Sequence, residues 1–213
     1  MKKNIFHLST LSLLLLILVS CDKEEQSVKV DSLMPVNTGN TRTYKYTYFN
    51  NHEENIDTTV ITIGEKVLIN GYTCFAAADE SPFNAKFLAG NDEFGNFVSY
   101  GGLSDVDTLV TPSIEFKKDA KAGDEWEYSM VSMEWETGKF SETTIPVKCL
   151  SVDTLITTPK GDFHCMAFET SINSGDHIFR HYYSMNVGQV KNEHYEGEYL
   201  FSYNELIDYV INW

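Results

Sequence analysis

The sequence predicts an all-β protein: a single curved antiparallel meander sheet, a half-barrel or open barrel of roughly ten strands with little helix. Apolar and aromatic residues alternate with polar ones at a period of two along most of the chain. Glycine, asparagine and aspartate separate these runs, as expected of short strands joined by turns. Apart from a short helical turn near residues 113–121, no stretch has the amphipathic period of a helix.

The first strands follow from aromatic and β-branched residues at alternate positions. Tyrosine recurs at every second position of the first strand, and a second strand alternates threonine and isoleucine. Asn70 and Gly71 then divide strands predicted at residues 66–69 and 72–78. This dipeptide favours a type I′ hairpin turn, because both central residues of that turn need a positive φ.

The remaining strands continue the same pattern to the end of the chain. They are predicted at residues 83–89, 95–101, 105–117, 125–136, 140–156, 162–170, 177–185, 188–195 and 198–211. Pro159 and Gly161 mark a turn, since proline fixes φ and glycine can adopt a positive one. Consecutive strands are therefore expected to pair as hairpins.

The N-terminal residues have the organisation of a bacterial signal peptide. Lys2 and Lys3 precede an apolar run over residues 11–19, broken only by Ser12. This run has the length of a signal-peptide core and is shorter than the about 20 apolar residues of a membrane-spanning helix.

The run ends in Leu18-Val19-Ser20-Cys21, and these four residues resemble the lipobox of bacterial lipoproteins. The resemblance implies a diacylglyceryl group on the Cys21 sulfur, cleavage before Cys21, and acylation, such as with palmitate, of the new N-terminus. Two or more acyl chains give stable anchoring. We therefore predict a signal peptide at residues 1–20 and a partner membrane reached through lipid.

The residues after Cys21 predict where this anchor is delivered. Lys23, Glu24 and Glu25 resemble the surface-export signal of Bacteroidetes lipoproteins, which implies an outer-membrane protein facing the cell surface. The periplasmic face of that membrane is the alternative. Residues 21–33 are polar and predict a flexible tether, and residues 34–213 predict one β domain.

Charge excludes several classes of partner. The chain has 16 basic and 31 acidic side chains, for a formal net charge of −15. Residues 1–20 contain two lysines and no acidic residue, so residues 21–213 carry a formal net charge of −17. Such a negative charge excludes nucleic acid as a binding partner and also excludes docking on anionic lipid. It is compatible with a soluble monomer.

The cysteines after the anchor leave the disulfide pattern open. Cys74, Cys149 and Cys165 are three thiols, so they cannot all pair within one chain. An oxidising compartment allows one disulfide, and the sequence does not choose a pairing. Buried free thiols are the expectation.

Four short motifs occur in the order found in many Bacteroidetes lipoproteins of unknown function. They lie at residues 34–44, 122–128, 159–165 and 182–191. The chain resembles that group over about residues 35 to 195, although Arg42 stands where the group usually has tryptophan. The resemblance implies a curved sheet similar to the half-barrel of outer-membrane lipoprotein carriers, whose concave face shelters acyl chains, and it implies no established activity.

The histidines do not predict a metal site. His177 and His181 are four residues apart on a predicted strand, which separates them by about 13 Å. His164 and His194 lie on other strands. The acidic turn at residues 91–96 lacks the ligand series of an EF-hand. No metal or other cofactor is therefore predicted.

Catalytic motifs do not stand out either. The sequence contains no G-x-S-x-G elbow, and its serines have no recognisable base partner. We therefore predict that the protein is not an enzyme. A hydrolase remains the less favoured alternative, because an acid-rich chain offers carboxylate pairs.

Aromatic residues provide the candidate ligand face. They are Tyr44, Tyr46, Tyr48, Trp126, Tyr128, Tyr199, Phe201 and Tyr203. They predict either core packing or a face that binds a ligand, since tyrosine combines a flat ring with a polar tip. We therefore predict a non-enzymatic binding or structural module that contacts a glycan or an envelope protein. The alternative is a carrier-like half-barrel for a lipid or other apolar ligand.

The lipid anchor predicts the behaviour of one variant. Cys21→Ala should abolish incorporation of labelled palmitate, because it removes the thiol that accepts the first lipid. Labelling of the immunoprecipitated protein in growing cells measures this, with Cys74→Ala as the cysteine control that keeps its label. A Cys21→Ala protein that still took up palmitate and stayed with membranes would contradict the prediction.

Overall fold

The computed structural model describes residues 31–50, 53–78, 83–172 and 175–212. The predicted signal peptide, the lipid site at Cys21 and the export signal at Lys23, Glu24 and Glu25 lie outside the described residues. Among the described residues, no helix has the length and apolarity needed to cross a membrane.

Thirteen strands make up almost all of the regular structure that is described. In chain order they are β1 (Thr41–Asn50), β2 (Glu53–Thr62), β3 (Lys66–Ile69), β4 (Tyr72–Ala78), β5 (Lys86–Asn91), β6 (Phe97–Leu103), β7 (Thr108–Phe116), β8 (Glu125–Met133), β9 (Phe140–Thr158), β10 (Gly161–Ile172), β11 (His177–Ser184), β12 (Gly188–Glu196) and β13 (Tyr199–Val210). All pairings are antiparallel, which confirms the predicted fold class.

The strands divide into two sheets where one had been expected, and neither closes into a barrel. The larger has the order β2-β1-β13-β12-β11-β10-β9-β8, and the smaller β3-β4-β5-β6-β7. The chain leaves the larger sheet after the β1–β2 hairpin and returns at β8. The last strand, β13, pairs with β1, so the meander from β8 onwards returns to the N-terminal hairpin.

The join between β7 and β8 shows why the sheets are separate. These strands lie side by side without a backbone ladder, and side chains connect them. Trp126 Nε1 donates to the carbonyl of Glu115 at 3.2 Å, and the backbone N–H of Ser129 donates to Ser113 Oγ at 2.9 Å. The helical turn predicted at residues 113–121 is wrong, because β7 extends to Phe116 and is followed by a turn.

The predicted hairpin turns follow their residue chemistry. Asn70 and Gly71 have φ values of 48° and 83° and join β3 to β4, as predicted. Gly161, with φ 142°, opens β10 after the turn that ends β9.

The main hydrophobic core lies between the two sheets and is centred on Phe116. This side chain is fully buried, and its ring centre lies 5.0 Å from that of Phe168 and 4.8 Å from that of Tyr183. Phe116 belongs to the smaller sheet, whereas Phe168 and Tyr183 belong to the larger. Aromatic packing of this kind therefore holds the sheets together.

A second hydrophobic cluster covers the same face of the larger sheet near β1, β12 and β13. Cys165 and its neighbours on the β9–β10 hairpin pack against Tyr44, Val190 and Leu206. Register shifts in β10 between Cys165 and Phe168 bend the hairpin, as bulges do. The Tyr44 hydroxyl donates to the carbonyl of Gln189 at 2.9 Å.

Arg42, which departs from the tryptophan of similar lipoproteins, is completely buried. Its Nε donates to the carbonyl of Val187 and its Nη2 to that of Pro35, both at 2.9 Å. Burial lowers the pKa of the guanidinium. A side chain at Gly188 would lie 2.7 Å from Arg42 Nε, so glycine leaves room for the arginine. Arg42 thus ties the chain before β1 to the turn before β12.

The three cysteines after the anchor are free and buried, as expected. Cys165 pairs across the ladder with Thr154, and Cys149 with Phe168. Burial raises the pKa of all three thiols, and that of Cys165 to about 12. They therefore act as small apolar core residues.

Candidate functional site: an open aromatic and histidine face

The residues predicted to form a ligand face occupy different environments. Tyr44 and Tyr128 are core side chains, with 2% and 8% of their surfaces exposed. Trp126 is half-buried, and Lys117 Nζ lies 4.8 Å from its ring centre. These three rings are therefore packed within the protein, and the other five lie elsewhere.

Tyr46 and Tyr48 lie on one face of β1, and their ring centres are 5.7 Å apart in a stacked arrangement. Both are half-buried. Residues directly opposite each other in antiparallel strands share a face. One cross-strand row on this face contains Tyr48, Ser202, His194 and Phe179. The next row contains Tyr46, Asn204, Asn192 and His181.

A bulge in β13 separates Phe201 from Tyr203. Ser202 pairs with His194 and Leu200 with Tyr195, so Phe201 is the extra residue. The ring of Phe201 lies 5.2 Å from His194, on the same face as Tyr48. Tyr203 packs against Phe49 on the opposite face, at 6.3 Å. The simple alternation assumed from sequence fails here because a bulge adds one residue.

We call the resulting surface the open face. It consists of Tyr46, Tyr48, His177, Phe179, Asn192, His194, Glu196, Tyr199, Phe201 and Asn204. Tyr199 and Phe201 are exposed, at 82% and 38%. Sequence reasoning missed Phe179, Asn192 and Asn204 as members, because they join the face only through the strand register.

Hydrogen bonds at the edge of the open face hold its amides in place. Asn192 Nδ2 lies 2.8 Å from His181 Nδ1, and Thr170 Oγ1 lies 3.0 Å from His181 Nε2. Burial lowers the pKa of His181 to about 4, so the ring is neutral near pH 7. Among the described residues Asn204 Oδ1 has no hydrogen-bond partner, although it is buried.

His177, His194 and Glu196 meet at one end of the open face. His177 Nδ1 lies 3.1 Å from His194 Nε2 and 3.9 Å from Glu196 Oε1. The three donor atoms all lie within 4.8 Å of one another. Burial and the neighbouring His177 lower the pKa of His194, and Glu196 opposes this. Of the described residues, these offer the geometry of a metal site. The sequence analysis considered only the spacing of His177 and His181 along one strand, whereas the donors that meet here come from β11 and β12.

A cavity of about 410 Å³ lies over β8, β9 and β10. Its lining includes Glu125, Lys148 and Glu169, and register places these side chains on the side opposite Trp126. Lys148 pairs with Glu125 at 2.8 Å, and Arg180 pairs with Glu169 at 3.1 Å. Trp126, Pro146 and Val147 also line this cavity, so charged and apolar groups are mixed there, whereas an acyl chain needs a predominantly apolar lining.

Glu115 is an unusual carboxyl group beneath β8. It is half-buried, and its charge acts on the buried side chains of Tyr128 and Tyr183. Burial raises its pKa to about 7. Raised carboxyl pKa values occur in catalytic sites as well as in cores. The Glu115 carboxyl group lies near the packed side chains of Tyr128 and Tyr183, which is typical of a core.

Comparison with known proteins gives little further information. No protein-family model matches the chain, and no curated protein matches it. The structure is similar to that of a candidate lipoprotein from Parabacteroides distasonis, with 14% identity and a TM-score of 0.44, covering 85% of this chain and all of the other. It is also similar to a candidate exported protein with a YmcC-like fold from Bacteroides fragilis, with 12% identity and a TM-score of 0.42, covering 84% and 99%.

Glu115 predicts how stability depends on pH. Its pKa in the folded protein is above its unfolded value, so the folded state loses stability as the pH rises from about 4.5 to about 7. Glu115→Gln should therefore raise the free energy of unfolding at pH 8 by about 1–3 kcal/mol relative to its effect at pH 4. Urea denaturation at both pH values measures this difference.

The matched control is Glu127→Gln, which removes an exposed carboxylate from the adjacent strand β8. That variant should not show the same pH-dependent gain. Equal effects of Glu115→Gln at pH 4 and pH 8 would show that the carboxyl is not shielded in the folded protein.

Proposed function

We propose that this protein is a non-enzymatic, lipid-anchored module of the bacterial outer membrane that binds a glycan on its open face. The observation that carries the proposal is the half-exposed sheet surface on which two cross-strand rows bring aromatic rings, histidines and two amides together. The lipobox at Cys21 supports the anchor, and the residues after it support the outer membrane facing the cell surface. The periplasmic face is the alternative.

The chemistry of the open face suits a sugar chain. Tyr46, Tyr48 and Phe201 offer flat apolar rings, against which the C–H faces of sugars pack. Asn204 and Asn192 follow Tyr46 in the same cross-strand row, and amides can donate to and accept from hydroxyl groups.

Charge narrows the class of glycan. The chain beyond residue 20 carries −17, and Glu196 and Asp57 lie at the ends of the open face. Such a surface repels sulfated and phosphorylated chains. We therefore infer an uncharged polysaccharide, bound by a single copy of the protein.

The carrier alternative is less well supported. An acyl-chain carrier needs an apolar cavity on the concave side of the sheet. In the described part of the chain, Phe116, Phe168 and Tyr183 fill that side at one place, and the cluster around Tyr44 and Leu206 fills it at another. The lining of the 410 Å³ cavity mixes charged side chains with apolar ones. These features favour binding at a surface.

The hydrolase alternative has three candidate carboxyl groups, and their surroundings do not resemble a catalytic pair. Glu115 lies near packed tyrosines, and Glu125 and Glu169 at the cavity are each held in an ion pair. A catalytic acid and base need unpaired carboxyl groups of different pKa on either side of a substrate. The proposal of a non-enzymatic role rests on this arrangement.

Binding can be tested by affinity electrophoresis through gels that contain β-glucan, xylan or mannan, with heparin as the anionic comparison. We expect at least one uncharged polysaccharide to retard the protein and heparin to have no effect. Tyr48→Ala should weaken retardation about tenfold, as the loss of one aromatic contact of about 1.5 kcal/mol implies. Phe201→Ala should do the same.

Tyr203→Ala is the matched control, because the bulge in β13 places this tyrosine on the opposite face. It should leave retardation unchanged. Equal losses in Tyr48→Ala and Tyr203→Ala would contradict a site on the open face. A protein that no uncharged polysaccharide retards would contradict glycan binding itself, and shortened polysaccharide chains after incubation would favour the hydrolase.

A further inference from the structure

We propose that His177, His194 and Glu196 form a binding site for one divalent transition-metal ion, with Zn²⁺ as the best-matched ion. The three side chains come from adjacent strands. His177 on β11 pairs directly with Glu196 on β12, and His194 lies two residues before Glu196. All three side chains therefore project from the same face of the sheet.

The distances between the donor atoms match a shared ion. Zn²⁺ binds imidazole nitrogens at about 2.0–2.1 Å, which places two nitrogens of a tetrahedral site about 3.3 Å apart. The observed separation of His177 Nδ1 and His194 Nε2 is 3.1 Å. Glu196 Oε1 lies 3.9 Å from His177 Nδ1, and its side chain is 48% exposed and so free to move closer.

The His194 ring is held in a fixed orientation by its neighbours. Phe179 stacks on it with ring centres 4.3 Å apart and an interplanar angle of 10°. Phe201 approaches it edge-on at 5.2 Å. A ligand ring that is already oriented loses little freedom when an ion binds.

The donor set selects the class of ion. Two imidazoles with one carboxylate form a known three-residue zinc set that leaves a fourth position for water or a ligand. Imidazole also suits copper, nickel and iron, whereas Ca²⁺ and Mg²⁺ prefer ligand sets made of oxygen. The structure thus assigns a transition-metal site with an open position facing solvent.

The other described histidines do not offer such a set. His164 Nδ1 lies 2.6 Å from Asp153 Oδ1 in an exposed pair. His181 uses both ring nitrogens in hydrogen bonds to Asn192 and Thr170. In the acidic turn the Asp92 carboxylate is already engaged, because it accepts bonds from the N–H groups of Phe94 and Asn96.

Zn²⁺ titration of the purified protein by isothermal calorimetry tests the proposal, after EDTA treatment and with the thiols kept reduced. We expect one Zn²⁺ per chain. His194→Ala and Glu196→Gln should each weaken binding by about 100-fold, because each removes one of three protein ligands. His164→Ala is the matched control and should bind as the unchanged protein does.

Cobalt substitution gives a second readout that reports the ligands directly. The Co²⁺ protein should show the visible absorption of a tetrahedral site, and His177→Ala should lose it. Zn²⁺ should also raise the Tm of the unchanged protein and of His164→Ala, but not that of Glu196→Gln. Because Glu196 is exposed, that variant keeps the test valid even if replacement of a histidine disturbs folding.

Three results would overturn the proposal. The first is the absence of saturable binding of one Zn²⁺ per chain. The second is binding that Glu196→Gln and His194→Ala leave unchanged. The third is loss of binding in His164→Ala, which would place the ion elsewhere. The metal site stands apart from the proposed glycan binding, since none of these measurements uses a polysaccharide.

Discussion

The two sheets meet where Phe116 of β7 enters a set of rings on the larger sheet, with ring centres 5.0 Å from Phe168 and 4.8 Å from Tyr183. The rest of the structure depends on this contact, because β7 and β8 share no backbone ladder. Buried side chains of both sheets therefore cover this face of the larger sheet over β8 to β11. In the described part of the chain, the same face is half-exposed over the far ends of β11, β12, β13 and β1. Because the rest of this face is covered, the open face is the part of it that a ligand can reach.

Strand register then decides which side chains meet on that face. The bulge at Phe201 brings this ring to His194 and sends Tyr203 to the other side. The pairing of His177 with Glu196 brings a carboxylate beside two imidazoles. A glycan site and a metal site would thus lie on one surface, with the metal donors beside Phe179 and Phe201. Arg42 and Glu115 lie away from the open face. Burial of the Arg42 charge costs stability, which its hydrogen bonds to Val187 and Pro35 offset.

The sequence predicts the strands better than their arrangement. Period-two alternation and local turn chemistry identify nearly every strand, and Asn70 and Gly71 adopt the positive φ expected of them. The division into two sheets depends on a long-range contact at Phe116, which leaves no local signal. Phe201 and Tyr203 look equivalent by alternation until the bulge separates them. The spacing of histidines along one strand does not predict the histidine site, because its donors meet across β11 and β12. His194 and Glu196 follow His177 by 17 and 19 residues in the chain.

Native mass spectrometry of the protein, released from membranes and examined without added lipid, tests the central claim that the interior is filled and that binding occurs at the surface. The account predicts a mass equal to that of the covalent chain with its anchor. A reproducible extra mass, released on unfolding and extractable into organic solvent, would contradict it, because such cargo needs an apolar chamber that the packing of Phe116, Phe168 and Tyr183 does not leave.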